Sequence, residues 1–581
     1  MACVALQILG GHPQYAFFVA IAAGLHALVY AVAEPEVRRR TWWVFLAAYL
    51  GGAALAAMQI LPGLAATAES VRAGKLTYDF ARIASLPPEN LLTVLAPGFF
   101  GHLTEFDYWG RIYLWEGCLF AGVTGLVLAV VALVDRERGQ QTRLDLLVAG
   151  LLLVLALGDH TPLQRLLYDH VPGFGQMRSL AKFSFPFSLF VALAIGAGAD
   201  ALIRQRSISK RLATGLGGLG LVAAGLGVFL WLKPASLAGW MEWVQNNRDA
   251  HSTPFVIDMN AAFIAQAGGR AGEALAIAGA LLALAGIILL LAREQPRWSL
   301  VLLALLPVEL LVFAGNNFAT AQTGDLASKD VQQFLDNHPG DYRVLDMYWV
   351  DAGYFYRVPG MWDDSPGVLK RYAEFFYATQ GANPDEASQY IKINSLEQIF
   401  SLVRFRYAFL RPTSAKGYLP VINPNPLPRA LLVTNFQVLP DRDAILAALM
   451  KPDFDPRNTV YLENEPSPLP EPGGAGTVKV TVDNSDQLTI EADTPVPTLL
   501  LITDLYSRDW FARALPGSVQ QEYTILPADY VVRAIPLAAG HHHLAVVYDP
   551  PSFRHGLIIS GVAWMAWAGA FLYPMRRVRR I

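Results

Sequence analysis

Nine long apolar runs cut this chain into short polar pieces, and no other feature limits its folding so severely. A bilayer core is about 30 Å thick and is crossed by roughly 20 helical residues. Lipid offers the backbone no hydrogen bonds, so every such run has to be helical. The runs fall at about 13–33, 42–67, 113–134, 144–158, 186–203, 212–233, 273–292, 298–315 and 556–574. Composition agrees: 54% of the 581 residues are hydrophobic and 16% are charged, against roughly 25% charged in a soluble domain. These runs predict a polytopic α-helical membrane protein with about nine transmembrane helices.

Direction follows from the connectors. Basic clusters occur at Arg38, Arg39 and Arg40, at Arg136, Arg138 and Arg143, at Arg204, Arg206, Lys210 and Arg211, at Arg293 and Arg297, and at Arg576, Arg577, Arg579 and Arg580. They fall at every second connector, which places them together on the cytoplasmic side. The segments 68–112, 159–185, 234–272 and 316–555 then face outward. Nine spans with a cytoplasmic C-terminus leave Met1 outside as well. Residues 1–9 are an apolar stub without the charged start of a signal peptide. They read as the end of a helix whose beginning is missing, so the chain is expected to lack its N-terminal part; a natural outward start is the alternative.

Four regions follow: a multi-helix membrane domain at 1–315, an extracytoplasmic α/β region at 316–470, a membrane-proximal β-sandwich at 471–555, and the last helix with its basic tail at 556–581. Within the α/β region, 329–337, 368–379 and 385–400 carry helical pattern, and 342–345 and 406–410 read as strands. Proline clusters at 423–428 and 466–474 mark loops. Beyond them, 478–482 and 488–492 alternate apolar and polar residues, as half-buried strands do, and 499–502, 530–535 and 542–548 follow. A small sandwich is the expected fold.

Polar residues gather at the outward ends of the helices. Gly10, Gly11, His12, Pro13 and Gln14 precede the first full span. Segment 68–112 carries Glu69, Asp79, Glu89, Glu105 and Asp107, followed by Arg111 and Glu116; segment 159–185 carries Asp159, His160, Arg178 and Lys182. Ionisable groups at membrane depth are costly and mark function. A cavity combining these acids with Arg178, Lys182 and His160 would hold an anionic lipid-linked phosphate, with a carboxylate as general base toward an acceptor hydroxyl. Glu105 and Asp107 are the candidate catalytic acids. His12, Gln14, Asp159, His160, Arg178 and Lys182 are the candidate substrate-binding residues. The bland alternative is that these charges sit in aqueous loops, where they cost nothing.

Several classes are disfavoured. A net charge of −3 is too balanced for a nucleic-acid partner. The two cysteines, Cys3 and Cys118, provide neither a disulfide framework nor a thiol metal site. Alternate strand residues face opposite ways, so His541, His542 and His543 do not form a metal tract. The glycines of 215–220 lie in an apolar helix and point to close helix packing. No Walker sequence is present, so ATP is not expected as an energy source.

Several of these motifs resemble the YfhO family of bacterial membrane proteins. They are Leu6-Gln7-Ile8-Leu9-Gly10-Gly11-His12-Pro13-Gln14, Leu86-Pro87-Pro88-Glu89-Asn90 leading to Pro97-Gly98-Phe99-Phe100-Gly101, and Leu157-Gly158-Asp159-His160-Thr161-Pro162-Leu163. Val171-Pro172-Gly173-Phe174 with Arg178, Asn425-Pro426-Leu427-Pro428-Arg429-Ala430, and the run from Arg533 to Pro550 add to the likeness. The family is similar to GT-C glycosyltransferases. That implies a bacterial cytoplasmic membrane location, a polyprenyl-phosphate-linked sugar as donor, and transfer on the outer face to a cell-envelope glycan or lipid. A divalent metal is a possible cofactor; none is specified. The acidic motif of such enzymes lies in the first outer loop, before this chain begins. The family's Tyr-Pro-Gly-Trp-Arg-Ala turn is replaced by Tyr506-Ser507-Arg508-Asp509-Trp510-Phe511-Ala512-Arg513. Two other functions stay open: a lipid-linked sugar transporter or flippase, for which 113–315 contains few internal charges, and a non-catalytic envelope assembly protein.

Overall fold

Helices form where the apolar runs leave the backbone no other partner. In the computed structural model, six helices are long and apolar enough to cross a bilayer: Pro13–Ala33, Gly139–Ala156, Leu180–Ile203, Lys210–Leu232, Ala261–Glu294 and Arg297–Asn317. That count covers the described residues, which are all except 37, 75, 103–107, 136, 138, 205–208, 249–257, 319–327, 348–352, 412–416, 475 and 579–581. Arg136, Arg138, Arg206, Arg579 and Arg580 of the basic connectors therefore lie outside the described residues. The chain divides into two compact units, Met1–Ala54 with Lys75–Thr320, and Leu55–Gly74 with Ala321–Ile581.

In the first unit, the helix Lys210–Leu232 lies against Ala261–Glu294 along a face of glycines. A methyl group on Gly279 would strike the Ala224 amide nitrogen, and one on Gly286 would come 2.7 Å from the Gly217 Cα. Gly227 and Gly272 meet in the same way. With no hydrophobic drive between helices in lipid, backbone contact of this kind supplies dispersion attraction instead. The expected span 113–134 is shorter than its apolar run. Helix occupies only a single turn at Leu114–Gly117 and then Val123–Val134, which begins after Gly122 at φ +85°. Glu309, buried within Arg297–Asn317, accepts the amide of Thr124 at 3.0 Å and that of Val123. A carboxylate inside an apolar helix thus caps a neighbouring one.

The expected span 42–67 is divided at Ala56 into Arg38–Leu55 and Ala57–Glu69, and residues 55–74 belong to the second unit. The groups freed at the break find partners on the last helix, Pro551–Val578. Trp564 Nε1 donates to the Leu55 carbonyl at 3.1 Å, and the Met58 amide donates to Ser560 Oγ at 3.0 Å. Gly556 lies directly on the Ala57–Met58 backbone. A broken helix is tolerated where a neighbour replaces the lost bonds.

The rest of the second unit is rich in strands. A three-stranded sheet joins Arg343–Asp346, Phe405–Leu410 and Leu419–Ile422. A six-stranded sheet runs in the order Ala430–Val433, Thr498–Ile502, Val532–Leu537, Leu526–Ala528, Thr459–Leu462, Asn435–Val438. A five-stranded sheet runs Glu522–Tyr523, Trp510–Ala514, Gly540–Tyr548, Gln487–Thr494, Thr477–Asp483. Leu488, Ile490, Leu544 and Val546 of the five-stranded sheet meet Leu500, Ile502 and Ile535 of the six-stranded sheet, so these two form a sandwich. The other face of the six-stranded sheet, through Leu499, Leu501 and Val532, is covered by the helices Lys370–Thr379 and Arg442–Leu449. Burial on both faces explains why 499–502 is continuously apolar. The six-stranded sheet takes strands from both sides of residue 470, where composition alone had placed a boundary.

The helix expected at 385–400 does not form. That segment has 3₁₀ turns at Pro384–Glu386 and Gln398–Val403. Between them the chain is irregular: Gln380 Oε1 accepts the amides of Asn394 and Ser395 at 2.7 and 3.1 Å, and Trp362 Nε1 donates to the Gln389 carbonyl at 3.2 Å. Side-chain partners take the groups that a helical ladder would have used. His542 points inward, with Nδ1 at 2.7 Å from the Tyr523 hydroxyl, while His541 lies at 2.8 Å from Asp493 on the opposite face.

Candidate functional site

A cavity of about 530 Å³ opens in the helical unit among Asp79, Arg82, Arg111, Asp159, His160 and Arg248. Short-range geometry builds it. Thr77 caps the helical turn Tyr78–Ala81, accepting the Phe80 amide at 3.3 Å, and so starts the segment that carries Asp79 and Arg82. Asp159 and His160 lie on the 3₁₀ turn Gly158–His160. Gly158 is required there twice over: its φ is +51°, and a methyl group would run into Ser85 Oγ and stand 2.7 Å from Gln164 Oε1. Ser85 Oγ accepts the Asp159 amide at 3.0 Å, and Gln164 Nε2 donates to the Ala81 carbonyl at 2.9 Å. The turn is thereby tied to 81–85.

The charged groups have distinct surroundings. Asp159 accepts from the Tyr78 hydroxyl at 2.7 Å and from Arg82 Nη1 at 3.3 Å. Arg82 also reaches Asp79 at 3.1 Å, and the Asp79 side chain is 85% exposed. Arg111 makes a bidentate pair with Glu89 at 2.6 and 2.8 Å, largely buried, and lies over the Trp243 ring at 5.0 Å. Arg248 donates to Gln245 Oε1 at 2.7 Å, and Gln245 in turn holds the Trp109 carbonyl at 3.0 Å. Burial, then the nearby Arg111 charge, lowers the His160 pKa from its ordinary value. Burial and Asp159 push the Tyr78 phenol up to about 12. At neutral pH the wall therefore offers three guanidinium groups, a neutral imidazole that both donates and accepts, and two carboxylates.

The remaining expected residues form a second cluster. Gln14 donates to the Arg178 carbonyl and accepts from Lys182 Nζ at 3.1 Å. Lys182 Nζ also lies 3.5 Å from the buried Glu116 carboxylate and 5.6 Å from the centre of the Tyr15 ring. His12 packs against that ring at 4.6 Å. Burial, then the Lys182 charge, lowers the His12 pKa. Arg178 stands over the Phe80 ring at 5.6 Å. Ser179, at φ +58°, donates its amide to the Ile83 carbonyl at 2.8 Å, which links this cluster to the segment beneath the cavity.

Of the residues singled out in the sequence, Asp79, Arg111, Asp159 and His160 line the cavity. His12, Gln14, Arg178 and Lys182 gather instead around Glu116 and Tyr15. Glu105 and Asp107 lie outside the described residues. Sequence reasoning missed Arg82, Ser85, Asn247 and Arg248, which also line the cavity. Arginine within the polar segments 68–112 and 234–272 was the available signal. Compared with protein-family models, with curated proteins and with solved structures, the chain matches none.

Proposed function

We propose that this chain is a multi-pass membrane glycosyltransferase of GT-C type, related to the YfhO family. In this reading about nine helices span the bacterial cytoplasmic membrane, the basic connectors face the cytoplasm, and residues 316–555 lie outside. The donor is a sugar on polyprenyl phosphate and the acceptor a cell-envelope glycan or lipid. The observation that carries the reading is the convergence of Arg82, Arg111, Arg248 and His160 with two carboxylates around one cavity.

Such a wall suits transfer from a glycosyl phosphate. Guanidinium groups match phosphate oxygens and stabilise the negative charge that gathers on the leaving phosphate. A carboxylate takes the acceptor hydroxyl proton as that oxygen attacks the anomeric carbon and the bond from that carbon to the phosphate oxygen breaks. Asp79 has the exposure this role needs, and Glu105 and Asp107 remain candidates from the sequence. Asp159, fixed by Tyr78 and Arg82, orients the guanidinium.

The test is transfer of labelled sugar from a panel of polyprenyl-phosphate donors by membranes containing the full chain. Asp79→Asn is expected to lower the rate by about 10²-fold or more, and Arg82→Ala by a similar factor, at unchanged expression. Wild-type rates in both variants would remove this cavity from the reaction.

A further inference from the structure

The C-terminal unit contains a cavity of its own, of about 450 Å³, which the transfer reading does not use. Its floor is Glu374, whose side chain is 3% exposed. The Tyr530 hydroxyl donates to that carboxylate, and Arg442 Nη1 reaches it at 3.1 Å. Two tyrosine rings flank it. Arg371, paired with Glu463, stands 4.9 Å from the centre of the Tyr530 ring and 5.6 Å from that of Tyr506.

Backbone strain places the first ring. Asp529 and Tyr530 are consecutive non-glycine residues in the left-handed region, at φ +45° and +66°. Strain of this kind persists where surrounding contacts over-determine it. Here Asp529 is fully buried and exchanges bonds with Tyr461: Oδ1 accepts the Tyr461 amide at 2.8 Å, and the Asp529 amide donates to the Tyr461 carbonyl at 2.8 Å. Tyr506 is fixed from its own backbone, its amide donating to the Val531 carbonyl at 2.9 Å. On the rim stand two cations, Lys370 and Arg508, with side chains 60% and 83% exposed. Each lies at 3.8 Å from a carboxylate, Lys370 from Glu374 and Arg508 from Glu69.

These groups select among ligands. A site for a bare phosphate would not place a buried carboxylate on its floor, because like charges repel. A purely apolar ligand would shut water away from these charged pairs and offer their remaining donor and acceptor positions nothing in exchange. Aromatic faces, a carboxylate acceptor and arginine donors together suit a ring bearing hydroxyl groups, and exposed rim cations suit a negative substituent on it. We propose that this cavity binds a saccharide carrying an anionic group. The proposal is independent of sugar transfer, since binding needs no donor.

The test uses the full chain in nanodiscs of zwitterionic lipid and equilibrium dialysis with labelled trigalacturonate. Saturable binding is expected, at least about tenfold tighter than that of neutral maltotriose and weakened by added salt. Tyr506→Ala is expected to weaken it about tenfold and Tyr506→Phe to leave it within about twofold. Lys370→Ala combined with Arg508→Ala, both at exposed positions, is expected to abolish the preference for the charged trisaccharide. Absence of saturable binding to the wild type overturns the proposal, as does unchanged affinity in both Tyr506→Ala and the double variant. Glycerol 1-phosphate competing as well as trigalacturonate would show that the site reads a lipid headgroup anion, which also overturns it.

Discussion

Glu309 and Asp504 are both buried carboxylates, one in each unit, and they are accommodated by different means. In the helical unit, Glu309 accepts two backbone amides at the start of Val123–Val134, and helix faces elsewhere meet through glycine. In the C-terminal unit, Asp504 accepts from side chains: Arg404 at 2.7 Å, Arg429 at 2.9 Å and Arg343 at 3.4 Å. Arg533, 4% exposed, lies nearby over the Trp510 ring at 3.8 Å and donates to the Leu505 carbonyl at 2.8 Å. Burial disfavours ionisation of Asp504, yet Arg404, Arg429 and Arg343 together hold its carboxyl below the usual range. Burial brings Arg533 down to about 10, which leaves it charged at neutral pH. Where lipid surrounds a helix, the nearest unsatisfied groups are its own terminal amides. In a water-exposed fold with several sheets, long side chains from separate strands can converge instead.

This contrast is broken most severely at Asp504. Asp504→Ala leaves buried Arg404 without its main partner, and about 3–5 kcal/mol of stability is expected to be lost. Asp483→Ala, which removes a half-exposed partner of Arg429, is expected to cost under about 1 kcal/mol. Protease resistance of residues 321–581 within the full chain, followed against temperature, measures both. Equal losses would mean that the arginines are held by something other than Asp504.

The next effect is a pH dependence confined to the C-terminal unit. Burial raises the Asp529 carboxyl to about 7, against about 3.9 in an unfolded chain. The folded state then keeps its proton over a range where the unfolded state has lost it, so stability falls as pH rises from about 4 to 7 and is level above. The size is roughly 2–4 kcal/mol. His542, whose buried imidazole is lowered in pKa, contributes the opposite slope through its own range. The diagnostic is therefore the difference between wild type and Asp529→Asn in melts at pH 5 and pH 8. Asp529→Asn is expected to remove the fall; the same slope in both would exclude Asp529.

The smallest effect tests the glycine faces. Gly227→Val inserts a side chain where the Ala276 backbone already lies and is expected to cost about 1–3 kcal/mol. Gly218→Val, with no atom within 4 Å of its new Cβ, is expected to stay within about 0.5 kcal/mol. Thermal stability in detergent separates them, and matched values would mean that the helix pair is held elsewhere.

How legible each unit was depends on the range of the interactions. Helix 329–337 and the alternating strands at 478–482 and 488–492 are set by neighbours one to four residues away, and the structure has them at Lys329–Asn337, Thr477–Asp483 and Gln487–Thr494. The glycines of 215–220 were read as a packing face, and Gly217 and Gly220 do meet the opposite helix. The break at Ala56 was not legible, because its partners Ser560 and Trp564 are some 500 positions away in the chain. The strands Ala430–Val433, Asn435–Val438 and Thr459–Leu462 were missed for a related reason: each is four residues long, the first and third join strands found much later, and the second pairs with the third. In the candidate site, Asp159 and His160 were visible as a polar turn beside an apolar run. Arg82 and Arg248 were not, since only the fold brings them to the same wall.

Sidedness is what the proposed chemistry depends on most, and cysteine accessibility measures it directly. In a background with Cys3 and Cys118 replaced by serine, Asp493→Cys places a thiol on an exposed strand position and Arg293→Cys places one at a basic connector. A membrane-impermeant maleimide applied to spheroplasts is expected to label Asp493→Cys at once and Arg293→Cys only after permeabilisation. Immediate labelling of Arg293→Cys with Asp493→Cys protected would contradict the orientation and, with it, transfer on the outer face.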